Sequence, residues 1–153
     1  MGWRVTGNDF SEADLREALD EVVDETASEA ALDAGGNAPV LSGALSRSFY
    51  KSSAKGSDYQ KAVAAMRAQN PGIEVEPETP REDWSEDDIH NGLVDSTAPH
   101  APLIEEGHFN VRANRFIAGR PSLGNALRGQ SDKMMSRAAR ALRKLGAKNV
   151  SKA

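Results

Sequence analysis

The chain has 153 residues, of which 39% are apolar, 27% charged and only 5% aromatic. This length predicts a single domain, and so few aromatic residues leave alanine, leucine and valine to form most of its core. The absence of cysteine excludes disulfides and thiolate metal sites. No apolar run approaches the roughly 18 residues that span a bilayer, so we expect a soluble, unsecreted protein with no membrane contact.

The net charge of −4 conceals two oppositely charged ends. Residues 1–34 contain ten acidic and two basic residues, whereas residues 112–153 contain eleven basic residues and one acidic residue. Either the two ends pair with each other, within or between subunits, or the basic end meets an acidic partner such as nucleic acid. Ordinary solvated helix faces would give the same pattern.

The first predicted helix begins at Ser11, a good helix cap, with Asp14 as its partner in a capping box. Gly35 and Gly36 are predicted to end it. Its apolar stripe narrows to alanine in the second half, which favours close packing of another backbone against it. The stripe comprises Leu15, Ala18, Leu19, Val22, Thr26, Ala30 and Ala31.

Short elements are predicted next. Leu45 and Phe49 share one helical face before the chain extends into a strand over 50–53. A second helix is predicted over 57–69, where an Asn-Pro-Gly sequence stops it. The alternation in 73–76 predicts a half-exposed strand.

The second half of the chain continues this mixture. A proline-rich and acidic segment over 77–88 predicts a mobile loop without the ligand spacing of a calcium site. A strand is predicted over 89–97, and a short helix over 102–106 that Gly107 closes. A loop or hairpin is predicted through 109–117.

Pro121 opens the last predicted helix and Gly146 ends it. Gly124 and Gly129 each cost about 1 kcal/mol relative to alanine, so we expect a bend or an interruption there. The apolar stripe of this helix comprises Leu123, Leu127, Met134, Ala138, Leu142 and Leu145, and its basic face Arg128, Lys133, Arg137, Arg140, Arg143 and Lys144.

Together these elements predict an α+β fold. A long N-terminal helix and a basic C-terminal helix pack on a small antiparallel β-sheet, in a single domain over 1–146. The remaining residues, 147–153, predict a frayed and flexible tail.

Known catalytic and cofactor motifs are absent from the sequence, including the phosphate loop, the dinucleotide fingerprint and the nucleophile elbow. His100, Glu105, Glu106 and His108 cluster in sequence, with His90 nearby. No two histidines have the spacing of four that places both on one helix face for a metal. We therefore predict no catalytic, cofactor-binding or metal-binding residue and no enzymatic activity.

Three segments together resemble one family. Segment 38–48, Ala-Pro-Val-Leu-Ser-Gly-Ala-Leu-Ser-Arg-Ser, is similar to the stretch Ala-Pro-x-x-Thr-Gly-x-Leu-Arg-x-Ser. Segment 98–107 is similar to Tyr-Ala-x-x-Val-Glu-x-Gly, and segment 119–127 to Ala-Arg-Pro-Phe-Leu-x-Pro-Ala-Leu. In this order and spacing they resemble the small tail-completion proteins of long-tailed phages, a family of the head-to-tail joining region that is also similar to the minor tail protein Z type.

The chain departs from the family pattern at several positions. His100 stands where the family usually has tyrosine, Ser122 where it has phenylalanine and Asn125 where it has proline. The segment 55–90 is longer than the family core and is predicted to be an insertion.

The resemblance implies a structural virion protein of the phage neck or tail end, assembled in the host cytoplasm. It would complete the tail or join head to tail as a ring. The implied partners are other copies of itself, neighbouring head–tail connector, tail terminator or tail tube proteins, and DNA passing through a channel. The motif residues have structural roles, and we expect Glu105 to cap a helix or pair with Arg120. They are Ser42, Gly43, Leu45, Arg47, Glu105, Gly107, Arg120, Pro121 and Leu127.

In such a ring, the acidic first helix of one subunit is expected to face the basic last helix of the next. The interface residues of this hypothesis are Glu21, Asp24, Glu25, Arg120, Arg137, Arg140 and Arg143. The alternative function is that of a small nucleic-acid-binding protein that uses the basic C-terminal helix. That helix lacks the interleaved aromatic residues on which bases stack.

Overall fold

A computed structural model of the chain describes residues 3–6, 10–39, 43–80, 90–146 and 149–152. It confirms the predicted α+β fold, with a long N-terminal helix, a C-terminal helix and a small amount of antiparallel β-structure. The elements are β1 (Trp3–Thr6), α1 (Glu12–Asn37), α2 (Ala44–Ser48), β2 (Phe49–Ser53), β3 (Gly56–Ser57), α3 (Tyr59–Gln69), β4 (Gly92–Ser96), α4 (Ala101–Glu106), β5 (Gly107–Asn110), β6 (Arg115–Ala118), α5 (Ser122–Lys144) and β7 (Asn149–Lys152).

Helix α1 begins at the predicted capping box. The Ser11 hydroxyl accepts a hydrogen bond from the backbone N–H of Asp14 at 3.2 Å, and the Asp14 carboxylate accepts one from the N–H of Ser11 at 2.9 Å. The carboxylate also accepts a hydrogen bond from the Ser11 hydroxyl at 2.6 Å. The hydrogen bond from the Ser11 hydroxyl and, to a smaller extent, the one from the Ser11 N–H hold the pKa of Asp14 below its ordinary value.

The end of α1 differs from the prediction, because the helix continues through Gly35 and Gly36 to Asn37. At Gly35 the carbonyl of Ser46 lies so close that a Cβ atom would overlap it. Glycine at this position therefore allows α2 to approach α1 and does not end the helix. The predicted close packing of another backbone is confirmed here.

The β-structure is divided among three small antiparallel sheets in the described residues. In the three-stranded sheet, β2 lies between β3 and β4, with Phe49 opposite Ser96 and Ser53 opposite Gly92. Strands β5 and β6 form a separate hairpin. The short helices and strands predicted around them, including α2, α3 and α4, are confirmed.

Two predictions on extended segments are wrong. Residues 73–76 belong to no strand. The N–H of Glu76 donates to the carbonyl of Thr97 at 2.9 Å, but among the described residues no ladder of backbone hydrogen bonds pairs this segment with a strand. The predicted frayed tail contains β7, which pairs antiparallel with β1 over 149–152, so the two terminal segments are hydrogen-bonded to each other. Residues 147, 148 and 153 of the tail, and 81–88 of the predicted loop, lie outside the described residues.

The centre of the molecule is a layer in which α1 packs against α5 on one side and against β2 and β4 on the other. Helix α5 is continuous through Gly124 and Gly129, so the expected interruption is wrong. Packing along α1 supplies stability that helix propensity alone does not. A second cluster of buried residues lies around α2, α3 and α4, and comprises Ala38, Leu45, Met66, Ala98 and Ala101.

Candidate assembly surface

The acidic and basic ends of the chain meet within one subunit. The Arg137 side chain is buried on α5, and its Nε donates to Oε1 of Glu25 on α1 at 3.2 Å. Its Nη1 donates to Oε1 of Gln130 at 2.9 Å and to Oγ1 of Thr26 at 3.3 Å. Glu25 and Arg137, placed by the sequence at an interface between subunits, are thus paired inside one, because α1 and α5 pack side by side.

Asp24 is also engaged within the chain. Its carboxylate forms an ion pair with Lys51 and accepts a hydrogen bond from the Ser53 hydroxyl at 2.5 Å. Burial alone would raise the pKa of Asp24, but the hydrogen bonds from Lys51 and Ser53 and the positive charges of Lys51 and Lys55 hold it below its ordinary value. Asp24 therefore attaches α1 to β2.

The remaining residues of the predicted interface are exposed. Glu21 and Arg140 line a small cleft of about 160 Å³ between α1 and α5. Arg143 lies near the end of α5, and Arg120 precedes its start. In the described part of the chain, none of these four forms an ion pair.

Glu105 joins the second and third family-like segments. Its Oε1 accepts hydrogen bonds from the Ser122 hydroxyl at 2.7 Å and the N–H of Leu123 at 2.8 Å, and its Oε2 accepts one from the N–H of Gly124 at 3.3 Å. A carboxylate is stabilising there because the first N–H groups of a helix lack partners within the helix. Of the two expected roles of Glu105, the structure shows the cap on α5.

Turns of the family-like segments depend on glycine. Gly107 ends α4 with φ +89°, and a Cβ atom there would lie 2.6 Å from the carbonyl oxygen of Ile117. Gly43 precedes α2 with φ +73°. Both conformations are ones that glycine adopts at little cost.

The other residues of the family-like segments differ in burial and in their place in the fold. Leu45 is buried in the core cluster and Arg47 is exposed. Pro121 occupies the position before the first residue of α5. Ser42 lies outside the described residues.

A groove with a volume of about 680 Å³ lies beside this junction. Its apolar lining includes Leu123, Leu127 and Phe49, and residues 76–80 form one of its sides. Leu127, which the sequence places in the apolar stripe of the last helix, is 46% exposed here, so its prediction as a packed residue is wrong. Five carboxylates and neither lysine nor arginine line the groove in the described residues; the acids are Glu76, Glu78, Asp95, Glu105 and Glu106.

The β5–β6 hairpin is an apolar surface that the sequence analysis did not identify as a site. Phe109 and Phe116 face each other across the two strands and are 55% and 63% exposed. Val111 in the connecting turn is 81% exposed. The signal was present in the sequence, since apolar residues flank an Asn-rich turn on both sides, but the pattern does not tell an exposed face from a buried one.

The histidines occupy unrelated places. Nδ1 of His90 lies 2.7 Å from a carboxylate oxygen of Asp20, His100 precedes α4 at an exposed position, and His108 lies on β5. Among the described residues, no group of three or more histidine, aspartate or glutamate side chains has the arrangement of a metal site.

Comparison of the chain with protein-family models, with curated proteins and with solved structures finds no match. In the described residues, no helix is long and apolar enough to cross a membrane.

Proposed function

We propose that this chain is a structural virion protein of a phage neck, which completes the tail or joins head to tail by assembling with other copies of itself as a ring. The observation that carries the proposal is the junction at Glu105. There one side chain links the segment 98–107 to the segment 119–127, two of the three segments that resemble tail-completion proteins.

The motif residues at this junction act on the backbone. Glu105 caps α5, Gly107 closes α4 with a positive φ, and the N–H of Arg120 donates to the carbonyl of Ile104 at 2.6 Å. Such roles fix the shape of a surface, and they suit a protein that works by fitting its neighbours.

The surface supports the same proposal. Large apolar side chains exposed together usually mark a site where another protein binds, and the β5–β6 hairpin exposes Phe109 and Phe116 side by side. The proposed partners are other copies of the chain and a neighbouring connector, tail terminator or tail tube protein. The exposed basic residues of α5, among them Lys133 and Arg143, are available to DNA passing through the ring.

Locating the chain in the particle tests the proposal. Ala54→Cys in the exposed turn between β2 and β3 gives this cysteine-free chain a single thiol for a maleimide–gold label, and particles with the wild-type chain, labelled in the same way, show the background from other proteins. We expect gold at the junction of head and tail, or at the tail end that meets the head. Gold on the head shell or the distal tail would contradict the proposal.

A further inference from the structure

We infer that the β5–β6 hairpin of one copy docks into the acidic groove of the next, so that copies join head to tail. The inference rests on the proposed assembly function and names its contact. Five of the seven large apolar side chains that are exposed in the described residues belong to α4, the hairpin or its turn; they are Leu103, Phe109, Val111, Phe116 and Ile117.

The hairpin has the form of a docking element. In the described residues neither of its outer edges pairs with another strand. A two-stranded hairpin is only marginally stable in water by itself, and the exposed rings of Phe109 and Phe116, which lie at opposite positions of the two strands, lose contact with water only if another surface covers them.

The groove supplies a matching surface. Its walls contain Phe49, Leu123 and Leu127, and its volume of about 680 Å³ is in the range of sites that enclose apolar groups. None of the hairpin residues 107–118 lines it, although the hairpin begins at the residue after Glu106. The hairpin thus does not fill the groove of its own chain in the described residues.

Charge selects a second copy as the occupant. The segment 107–120 contains Arg112, Arg115 and Arg120 and no acidic residue, whereas five carboxylates line the groove. Among the described residues, Arg112 and Arg115 form no ion pair. The chain's own segment 81–89, next to the groove in sequence, has five acidic residues and one arginine, so its charge disfavours it as the occupant.

The contact is heterologous, because the hairpin and the groove are different surfaces of the same chain. Such contacts form a ring when the rotation between neighbours closes and a filament when it does not. A closed ring agrees with the proposed function.

Reversal of charge on each side tests the contact. Variant A carries Arg112→Glu and Arg115→Glu in the hairpin. Variant B carries Glu76→Lys and Glu106→Lys, two exposed groove residues whose side chains form no hydrogen bond in the described residues. A control with the same change of charge as variant B, placed away from the groove, carries Glu29→Lys and Asp132→Lys, both at exposed helix positions. Circular dichroism and thermal melting check that all three variants fold like the wild type.

Sedimentation velocity then measures self-association over a range of concentrations. We expect the wild type and the control to associate. Variant A by itself, and variant B by itself, should need a concentration about tenfold higher or more to associate to the same extent. An equimolar mixture of A and B should recover association, because each reversed surface meets its complement only on the other variant. Recovery in the mixture supports the contact.

Other outcomes overturn it. Association of A and B that equals the wild type, or a mixture that stays as weak as either variant, excludes the hairpin–groove contact and leaves the neck function standing. A wild type that stays monomeric at all concentrations excludes docking between copies. Failure of the neck function shows separately, as gold located away from the neck.

Cross-linking provides a second measurement that does not depend on reversed charges. Val111→Cys and Leu127→Cys are placed in separate chains, and a short bismaleimide linker is added to their mixture. We expect more cross-linked dimer from the mixture than from either chain alone. Equal yields would also overturn the contact.

Discussion

Arg137 and Glu25, which lie 112 residues apart in the chain, form an ion pair across α1 and α5 with 3.2 Å between Nε and Oε1. The guanidinium is buried and also donates to Thr26 and Gln130, so it has three hydrogen-bond partners. At this contact, a positive charge of the basic helix α5 neutralises a negative charge of the acidic helix α1 within the same subunit.

Removal of this guanidinium should destabilise the fold. Arg137→Ala leaves the buried Gln130 carbonyl and the half-buried Thr26 hydroxyl without a donor, and we expect a loss of about 1–3 kcal/mol in the free energy of unfolding. Arg140→Ala, at an exposed position on the same helix, should change it by less than about 0.5 kcal/mol. Urea denaturation measures both, and equal effects would contradict a stabilising role for the Arg137 contacts.

Loss of the Glu105 side chain, which caps α5, should destabilise the fold more than loss of the neighbouring Glu106 side chain. Glu105→Ala removes the acceptor for two N–H groups and one hydroxyl at the start of α5, with an expected cost of about 1–3 kcal/mol. Glu106→Ala is the matched control, because this exposed side chain caps nothing in the described residues. If both variants melt at the same temperature, Glu105 does not hold the junction.

Asp24 should make stability depend on pH. Its pKa in the folded chain lies below the ordinary value of 3.8, so the carboxylate stabilises the fold fully above that pH, and the contribution is lost as the pH falls through the folded pKa. Asp24→Asn should therefore cost about 1–3 kcal/mol at pH 7 and progressively less below pH 3.8.

Urea titrations of wild type and Asp24→Asn at a series of pH values measure this difference. Asp132→Asn, at an exposed position on α5, serves as the control with no expected change. A cost that stays constant from pH 7 to below 3.8 would mean that the ionised form of Asp24 has no special role.

Binding of DNA separates the assembly function from its alternative. An assembly protein is expected to bind DNA weakly, whereas each phosphate contact made by the exposed basic residues of α5 would contribute about −0.9 to the slope of log K against log salt. The burial of Arg137 leaves one fewer cation for such contacts. Tight binding with a steep slope that Arg140→Glu and Arg143→Glu reduce would favour the nucleic-acid function.

Local signals in the sequence predict most of the helices. Ser11 and Asp14 define the start of α1, and Gly107 the end of α4, because this capping box and this glycine turn are visible in adjacent residues of the sequence. The role of Gly35 was missed because it depends on a carbonyl that packs against it from α2.

Long-range contacts account for the other errors. The pairing of β7 with β1 joins the two ends of the chain, and no local pattern encodes it. Leu127 has apolar neighbours at helical spacing, yet it lines the groove and stays 46% exposed, because the residues opposite it do not cover it. The exposed apolar face of the β5–β6 hairpin was missed for the same reason. Whether Phe109 and Phe116 are buried depends on which part of the fold packs over the hairpin, and the sequence alone does not give this.

Removal of the gene from its parent phage or prophage, followed by electron microscopy of the particles, tests the central proposal most directly. We expect filled heads with separate tails, or joined particles with malformed tail ends, and recovery of normal particles when the wild-type gene is supplied in trans. Normal, infectious particles without the gene would contradict a role in the neck.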